Sequence, residues 1–173
     1  LDLGEQPPAN SFIDQNQLNS TEFKFPLRLF WCSDCFLVQL LDIVDKEYLF
    51  KNYFYMTSAS KPIVDHFKKY AQDVYKEFLE GKNDQFVVEI GSNDGSLLSE
   101  FKKLGTSILG IEPATNLSNL ANQSSITTKN TFFSSQLSKE IIKSHHASVV
   151  VANNVIAHVE DLHDLMEGIQ ILI

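Results

Sequence analysis

The sequence predicts an α/β fold over about residues 83–173, with a parallel sheet that has helices on its faces. Three observations support this prediction. A buried strand-like run at 86–90 ends in an acid and a glycine turn, a second run at 107–111 also leads to an acid, and helical patterns alternate with such runs along the rest of the segment. Strands and helices that alternate through short links form parallel sheets with right-handed crossovers. The predicted arrangement is Rossmann-like.

The N-terminal part of the chain has a different pattern. Residues 1–55 contain prolines, many Asn and Gln, and short apolar runs, so we predict a small module of short strands and turns. From Ser60 onward, apolar residues recur at helical spacing as far as Leu79, and Gly81 supplies a stop. We therefore predict a linking helix within residues 56–82, followed by the α/β domain at 83–173.

Within the α/β domain, each element follows from apolar periodicity. Strands are predicted at about 86–90, 107–111, 126–129 and 148–152. Helices are predicted at about 96–104, 115–122, 134–144 and from 161 onward. The last apolar helical pattern reaches the final residue without a stop signal, and the sheet has only about four strands. We therefore expect an incomplete sheet in a piece of a longer protein.

Bulk composition excludes several classes of partner. The chain has 173 residues, of which 43% are hydrophobic, which is enough for a core in one domain with a small appendage. The net charge of -8 argues against nucleic acid or an anionic membrane as a partner, because both require a basic face. No apolar run approaches the roughly 20 residues of a membrane span. With no visible signal peptide, we expect a cytoplasmic location.

The chain has two cysteines, Cys32 and Cys35. This number excludes a disulfide scaffold, and a C-x-x-C pair in a cytosolic chain indicates metal or redox chemistry. A thioredoxin-like redox role is disfavoured because the pair lacks the strand-to-helix context of that motif. Metal binding is therefore the favoured role.

The loop after the first predicted strand has the features of a cofactor site. Gly91 and Gly95 bracket it, and the N-terminus of the next helix offers free N–H groups. A dinucleotide site would carry G-x-G-x-x-G, whereas this loop places polar Asn93 and Asp94 between its glycines. Because Asp94 can attract the cationic end of a sulfonium-bearing zwitterion, the loop favours S-adenosylmethionine (SAM).

An acid stands at the end of the second predicted strand. Glu112 follows Gly91 by about 20 residues, the spacing at which an acid binds ribose hydroxyls in Rossmann-like folds. Its carboxylate could accept hydrogen bonds from both hydroxyls. The alternative is a solvated loop acid, which the glycine loop in register disfavours.

Polar residues also follow the fourth predicted strand. Asn153 and Asn154 are placed at the carboxyl end of the sheet, where ligands bind in open α/β folds. His158 follows them and can act as a base near neutral pH. Taken alone, His158 is better explained as a residue that caps or packs the next helix.

Taken together, the motifs resemble the nucleotide-sugar C-methyltransferase family, whose members are SAM-dependent and carry an N-terminal zinc-binding module. The resemblance spans nearly the whole chain. It is most specific in three segments, taken in order: E-I-G-S-N-D-G at 89–95, G-I-E-P-A at 110–114, and A-N-N-V-I-A-H-V-E-D-L at 152–162. The D-L-G-E-Q-P-P-A-N opening and the segments F-P-L-R-L-F-W-C-S-D-C-F-L-V-Q-L and Y-F-Y-M-T-S-A-S also match.

The resemblance implies roles for particular residues. Those that would line the cofactor are Glu89, Gly91, Asn93 and Gly95. Glu112 would hold the ribose, and Phe132 or Phe133 would flank the adenine. His158 would lie near the transferred methyl group, and Tyr53 and Tyr55 would face the active site.

The implied substrate is a keto-deoxysugar carried on a nucleotide diphosphate. The implied reaction is C-methylation beside the ketone, in which a base removes the adjacent proton and the enolate attacks the methyl group. His158 would be the base or would orient the enolate, and Tyr53 or Tyr55 would hydrogen-bond the enolate oxygen. For each tyrosine alone, packing against 48–50 is the better explanation.

The chain departs from the family pattern in two ways. The family's zinc site uses two C-x-x-C pairs, and only Cys32 and Cys35 are present, so the chain holds half a site. Nothing corresponds to the family's C-terminal domain, so we expect this chain alone to be inactive. The competing interpretations are an NAD-dependent sugar-nucleotide oxidoreductase and a non-catalytic zinc- or nucleotide-binding module. The sequence does not predict the oligomeric state.

Overall fold

A computed structural model describes all residues from Leu1 to Ile173. The chain forms two compact units, Leu1–Tyr55 and Met56–Ile173. None of its helices is both long and apolar enough to cross a bilayer.

The first unit is a small antiparallel sheet of three strands in the order β1-β2-β3. Its elements are β1 (Asp2–Gln6), β2 (Phe25–Trp31), β3 (Val38–Leu40) and the short helix α1 (Lys46–Phe50). Arg28 on β2 donates from Nε to Asp42 Oδ2 over 2.9 Å, just beyond β3. No residue of Leu1–Tyr55 is fully buried, so this unit has little hydrophobic core of its own.

The second unit begins with the predicted linking helix. Helix α2 spans Lys61–Val74 and continues as a π-helical turn over Tyr75–Leu79. Gly81, the predicted stop, has a φ of +75°, a conformation that glycine adopts without strain. Ala71 and Leu79 face the core and are fully buried, which explains the apolar periodicity of this segment.

A parallel four-stranded sheet forms the centre of the second unit, in the order β6-β5-β4-β7. The strands are β4 (Phe86–Ile90), β5 (Ser107–Ile111), β6 (Thr128–Lys129) and β7 (Val149–Val151). The helices are α3 (Ser96–Lys103), α4 (Thr115–Gln123), α5 (Ser135–Ile141) and α6 (Leu162–Leu172). This arrangement confirms the α/β fold with a Rossmann-like sheet.

The first two predicted strands match the structure residue for residue, whereas several later elements, among them the third and fourth strands and α5, are shorter than predicted. The third strand starts at Thr128 because Ile126, 4% exposed, packs in the core after the end of α4. Its N–H donates to Ala121 O over 2.9 Å instead of joining the sheet. Helix α5 starts one residue late because Ser134 is its N-cap, with a hydroxyl that accepts from Leu137 N over 3.2 Å.

Two apolar clusters pack on opposite faces of the sheet. The alternating side chains of β4 serve both: Val87 belongs to one cluster and Val88 to the other, and each is 0% exposed. The order of the strands reverses at β4, since β5 pairs on one side and β7 on the other. In open α/β sheets this switch point forms a crevice at the carboxyl ends of the strands.

Candidate functional site

The loop after β4 is held in a tight left-handed path. Gly91, Asn93 and Gly95 have φ angles of +67°, +52° and +79°. A Cβ on Gly91 would lie 2.5 Å from Cγ2 of Val155, in the segment that follows β7. Position 91 therefore requires glycine both for its conformation and for the close approach of the two loops that border the crevice.

Asn93 and Asp94 bind the start of the second unit. The Thr57 N–H donates to Asn93 Oδ1 over 2.9 Å, and the Ser58 N–H donates to Asp94 Oδ2 over 2.8 Å. Asp94 Oδ1 also accepts from the Ser96 N–H over 3.2 Å at the start of α3. The carboxylate predicted to attract a ligand cation is thus engaged by backbone donors. Sequence reasoning missed this contact because nothing in the sequence pairs 57–58 with 93–94.

Glu112 lies where the predicted ribose acid should be, at the end of β5, and is 6% exposed. Its Oε2 accepts from Asn93 N over 2.7 Å, and its Oε1 accepts from Ala114 N over 2.8 Å. Burial raises the pKa of Glu112, and the charge of Asp94 adds to the rise, while the two backbone hydrogen bonds oppose it. Because each carboxylate oxygen has a second lone pair, Glu112 retains the capacity to accept two ligand hydroxyls.

Glu89 is the penultimate residue of β4, next to the crevice, and is 3% exposed. Its Oε2 has no hydrogen-bond partner. Burial, together with the charges of Glu112 and Asp94, raises the pKa of Glu89 well above its ordinary range. The structure therefore brings together three predicted site carboxyls. A cationic ligand group beside Glu89 would give its Oε2 a partner. It would also reduce the repulsion among the carboxylates of Glu89, Glu112 and Asp94.

Asn153 and Asn154 follow β7 on the other side of the crevice. The Asn153 Nδ2 is buried and has no hydrogen-bond partner. Asn154 is exposed and has a φ of +55°, a left-handed conformation that Asn tolerates better than most residues. Asn153 is thus the better candidate for ligand binding, and the backbone conformation explains the choice of Asn at 154.

His158 closes a single 3₁₀ turn, Ile156–His158, and its side chain is exposed. Its backbone N–H donates to Val155 O over 2.9 Å. The turn continues the segment after β7, so His158 lies on the carboxyl-terminal side of the sheet. Helix α6 begins after Asp161, whose side chain accepts from Asp164 N over 2.9 Å. His158 is therefore not the N-cap of that helix.

The two phenylalanines after β6 have different surroundings. Phe133 packs over Gly168 of α6, where an added Cβ would lie 2.7 Å from Phe133 Cε1, and it joins the core cluster that contains Val88. Phe132 is half-buried and is not among the side chains packed against that cluster. The role of Phe132 or Phe133 beside the adenine stays a prediction, and Phe133 also has a packing role.

The remaining predicted active-site residues, Tyr53 and Tyr55, belong to the first unit. Asn10 Nδ2 lies 3.5 Å from the Tyr53 hydroxyl, and the Tyr53 ring is 6.0 Å from that of Phe50. Tyr55 is 42% exposed. These contacts agree with the packing alternative for Tyr53 and leave the predicted roles of both tyrosines as predictions.

The cysteine pair lies at the tip of the β2–β3 hairpin. Cys32 N donates to Leu37 O and Phe36 N donates to Cys32 O, each over 3.0 Å, and Phe36 has a φ of +63°. Hydrogen bonds from the backbone of Cys35 and of Asp34 lower the pKa of the Cys32 thiol, which favours the thiolate that binds metals. No group of three or more His, Cys, Asp or Glu in the chain could hold a metal. The two cysteines could supply at most two of the four ligands of a tetrahedral zinc site.

Sequence reasoning also missed Tyr70, which it counted only as an apolar position of α2. Its ring packs against the core cluster that contains Val87 and Leu98. Burial and the charge of Glu89 raise the pKa of Tyr70, while Asn153 opposes the rise. No signal in the sequence separates this tyrosine from a core residue.

A cavity of about 280 Å³ is lined by residues of the glycine loop, of α3 and of α4. Its lining includes Asp94, Ser96, Ser99, Leu120 and Ile126. Neither Glu89 nor Glu112 contributes to it. We therefore locate the candidate site at the switch-point crevice, which is bordered by two buried unpartnered polar atoms, Glu89 Oε2 and Asn153 Nδ2.

Comparisons with known proteins agree with this fold. A family described as "Methyltransferase domain" matches residues 64–172, and one described as "Putative zinc binding domain" matches residues 1–50. C-methyltransferase NovU from Streptomyces niveus is 29% identical over 174 residues, which cover 100% of this chain and 41% of NovU. The chain thus spans less than half the length of this curated relative.

Among the solved structures that share the fold is the plantazolicin methyltransferase BpumL in complex with a pentazolic desmethylPZN analog and SAH. The TM-score is 0.51 at 18% sequence identity, and the match covers 67% of this chain and 45% of BpumL.

Proposed function

The chain belongs to the methyltransferase-domain family, and from this premise we propose that it binds SAM at the switch-point crevice and acts in C-methylation beside the keto group of a nucleotide-diphosphate-linked keto-deoxysugar. The observation that carries the SAM part is the set of polar atoms around the crevice. Glu89 Oε2 and Asn153 Nδ2 are buried without partners, and Glu112 keeps free lone pairs. The sugar part is supported by the identity with a C-methyltransferase and by the motifs shared with the nucleotide-sugar family.

The polar side chains at the crevice complement the polar groups of SAM one by one. An α-amino-acid end offers an ammonium to Glu89 Oε2 and a carboxylate to the Asn153 Nδ2 donors. Ribose hydroxyls can donate to Glu112, and the glycine loop lets the ligand approach its backbone closely. Phe132, after β6, is the proposed neighbour of the adenine ring. Asp94 is proposed to act through its charge, because its oxygens already bind backbone donors.

When bound, SAM supplies an electrophilic methyl group on a sulfonium centre. The chain's own contribution is to position the reacting groups and to remove a proton. We assign the base to His158, which follows β7 on the same edge of the sheet as the proposed cofactor site. It would take the proton from the carbon next to the carbonyl, and the resulting enolate would attack the methyl group in line. Tyr53 and Tyr55 remain predicted partners of the enolate oxygen.

The oxidoreductase alternative loses its support. The family match is to a methyltransferase domain, and the loop Gly91–Gly95 lacks the third glycine of a dinucleotide site. For the first unit we propose zinc binding in which Cys32 and Cys35 provide two ligands. A complete site requires two further ligands that this chain does not provide.

The test separates proton removal from methyl transfer. The protein is incubated in D₂O with nucleotide-diphosphate-linked keto-deoxysugars, and mass spectrometry follows deuterium uptake next to the carbonyl and, with SAM present, gain of a methyl group. Because we expect this chain alone to be inactive, the test uses the complete enzyme, in which we expect both with the wild type, and a loss of about 10²–10⁴-fold in each with His158→Ala while SAM affinity is kept. His163→Ala, on the exposed side of α6, is the matched control. Deuterium uptake that survives in His158→Ala would contradict the assignment of the base.

A further inference from the structure

A short segment before α2 is hydrogen-bonded to the glycine loop. Residues 56–60, here called the strap, contain a single 3₁₀ turn, Thr57–Ala59. The later N–H groups of the strap donate within the turn itself, over 3.2 and 3.1 Å. The N–H groups of Thr57 and Ser58 come too early in the turn to find an acceptor inside it, as at the start of any helix. They therefore require acceptors from elsewhere.

Two consecutive side chains of the glycine loop supply these acceptors. Asn93 Oδ1 accepts from Thr57 N over 2.9 Å, and Asp94 Oδ2 accepts from Ser58 N over 2.8 Å. Because neighbouring acceptors meet neighbouring donors, the contact fixes the register of the strap on the loop. The second carboxylate oxygen, Asp94 Oδ1, accepts from the Ser96 hydroxyl over 2.6 Å and so holds the acid at the start of α3.

Apolar packing does little to hold the strap. Met56 is 37% exposed and belongs to neither core cluster, and Thr57, which is 7% exposed, is the one buried residue of the strap. A cavity is lined by Met56 and Ser58 of the strap together with Asp94 and Gly95 of the loop. Segments with few buried apolar contacts open locally at a low cost in free energy. The two hydrogen bonds to the loop therefore decide how often the strap is docked.

Asn93 connects the strap to the proposed ribose acid. Its side chain accepts from Thr57 N, while its own N–H donates to Glu112 Oε2 over 2.7 Å. Both contacts depend on one backbone conformation, the left-handed φ of +52° at Asn93. A ligand that binds Glu112 and the loop backbone therefore stabilises the arrangement that also holds the strap. Because linkage is reciprocal, docking of the strap strengthens binding of that ligand by the same factor.

We propose that Asn93 and Asp94 are positioning residues that hold the strap on the glycine loop, and that SAM binding and strap docking stabilise each other. The inference rests on the proposed function and goes beyond it, because it gives these two side chains a role that requires no contact with the ligand. Asn93 acts through the N–H of Thr57, and Asp94 acts through the N–H of Ser58. With SAM bound, the strap opens less often than without it.

Amide hydrogen exchange followed by NMR tests the coupling on the wild-type chain. Saturating SAM should slow exchange at the N–H groups of Thr57 and Ser58 about tenfold, within the range of about 5–150-fold that is common for coupling between sites. Ser144 N, which donates to Ile141 O over 3.0 Å after α5, is the control amide and should not change. Unchanged exchange at Thr57 and Ser58 overturns the inference.

Variants at the two ends of one hydrogen bond test whether Asn93 acts through the strap. Thr57→Pro removes the donor, and the turn accommodates proline because Met56 has a φ of -119° and a ψ of 121°, a conformation that suits the residue before proline. Thr57→Ala keeps the N–H and is the matched control. Asn93→Gly removes the acceptor and tolerates the left-handed φ, whereas Asn93→Asp keeps an acceptor oxygen.

Calorimetric titration of these variants with SAM gives the affinities. We expect Thr57→Pro to bind SAM about tenfold more weakly than Thr57→Ala, and Asn93→Gly to lose a similar factor against Asn93→Asp. The double variant Thr57→Pro/Asn93→Gly should lose no more than either single variant, because both substitutions remove the same hydrogen bond. If Asn93 acted on SAM directly, Thr57→Pro would bind SAM as tightly as Thr57→Ala.

The outcomes separate the two proposals. Equal SAM affinity of Thr57→Pro and Thr57→Ala, or losses that add in the double variant, overturns the inference and leaves the proposed function standing. Failure of the folded wild type to bind SAM overturns both. The exchange measurement needs no substitution, so it decides the inference even where a variant does not fold.

Discussion

The backbone N–H of Asn93 donates to Glu112 Oε2 over 2.7 Å, and so ties the loop after β4 to the acid after β5. The same carboxylate accepts from Ala114 N at the start of α4. A residue expected only to contact ribose therefore also shapes the glycine loop and the turn that follows its own strand. Its two roles predict that substitutions at 112 affect stability as well as ligand binding.

We predict that Glu112→Ala lowers the free energy of unfolding even without ligand. The change leaves the N–H groups of Asn93 and Ala114 without their acceptor, which costs about 1–3 kcal/mol for each group that stays dry. Glu112→Gln keeps one acceptor oxygen and should cost less. Urea unfolding followed by circular dichroism measures the difference, with the exposed Glu140→Ala as control. Equal stability of Glu112→Ala and wild type would contradict the structural role.

Gly91→Ala should destabilise the second unit for two reasons that a second substitution can separate. The φ of +67° costs a residue with a Cβ about 1–2 kcal/mol, and that Cβ would lie 2.5 Å from Cγ2 of Val155. Val155→Ala removes the clashing methyl. The double variant should therefore recover the steric part of the loss in thermal unfolding and retain the conformational part. No recovery would show that the two loops do not approach each other as described.

We predict that the stability of the ligand-free protein depends on pH because of Glu89. Its pKa in the folded state lies above the unfolded value because of burial and the nearby acids. The contribution of Glu89 to the free energy of unfolding is complete below its pKa in the unfolded state. It is lost as pH rises toward its pKa in the folded state, at up to about 1.4 kcal/mol per pH unit. The raised pKa of Glu112 acts in the same direction.

The measurement is the free energy of unfolding from about pH 5 to about pH 8. Glu89→Gln is neutral and nearly isosteric, and it should flatten the decline over this range. The exposed Glu140→Gln serves as control. A decline of equal steepness in Glu89→Gln would show that Glu89 is not the group responsible.

We predict that this chain binds metal weakly through Cys32 and Cys35 at the tip of the β2–β3 hairpin. Two thiolates, with the pKa of Cys32 lowered by backbone hydrogen bonds, should bind zinc less tightly than a four-ligand site. Competition with a chromophoric chelator measures the affinity, and Cys32→Ser or Cys35→Ser should abolish it. Tight, stoichiometric zinc binding by the chain would contradict the half-site description.

Much of the fold follows from local patterns. The strands at 86–90 and 107–111 were predictable because both are apolar runs that end at glycine or an acid, and both lie in the sheet as expected. The third strand is shorter because Ile126 is in the core, and its apolar character fits a strand and a core turn equally well. The π-helical end of α2 has no counterpart in the apolar spacing, which a regular helix would also satisfy.

The candidate site was predictable only where a motif carries its own chemistry. The sequence indicated Glu112 and the glycine loop, and the structure places them in direct contact. The links of 57–58 to the loop and the packing of Tyr70 against the core depend on contacts between distant segments, which periodicity does not encode. Phe133 shows that a candidate binding residue can also pack, since its ring lies against Gly168.

The most direct test of SAM binding is calorimetric titration of the folded chain with SAM, with NAD as the control ligand. We predict that SAM binds, that NAD does not, and that Glu112→Gln weakens SAM binding by roughly 1.5–3 kcal/mol, the value of a hydrogen bond to a charged group. Binding of SAM with unaltered affinity in Glu112→Gln would remove Glu112 from the site. No SAM binding by a chain shown to be folded would contradict the proposed cofactor site itself.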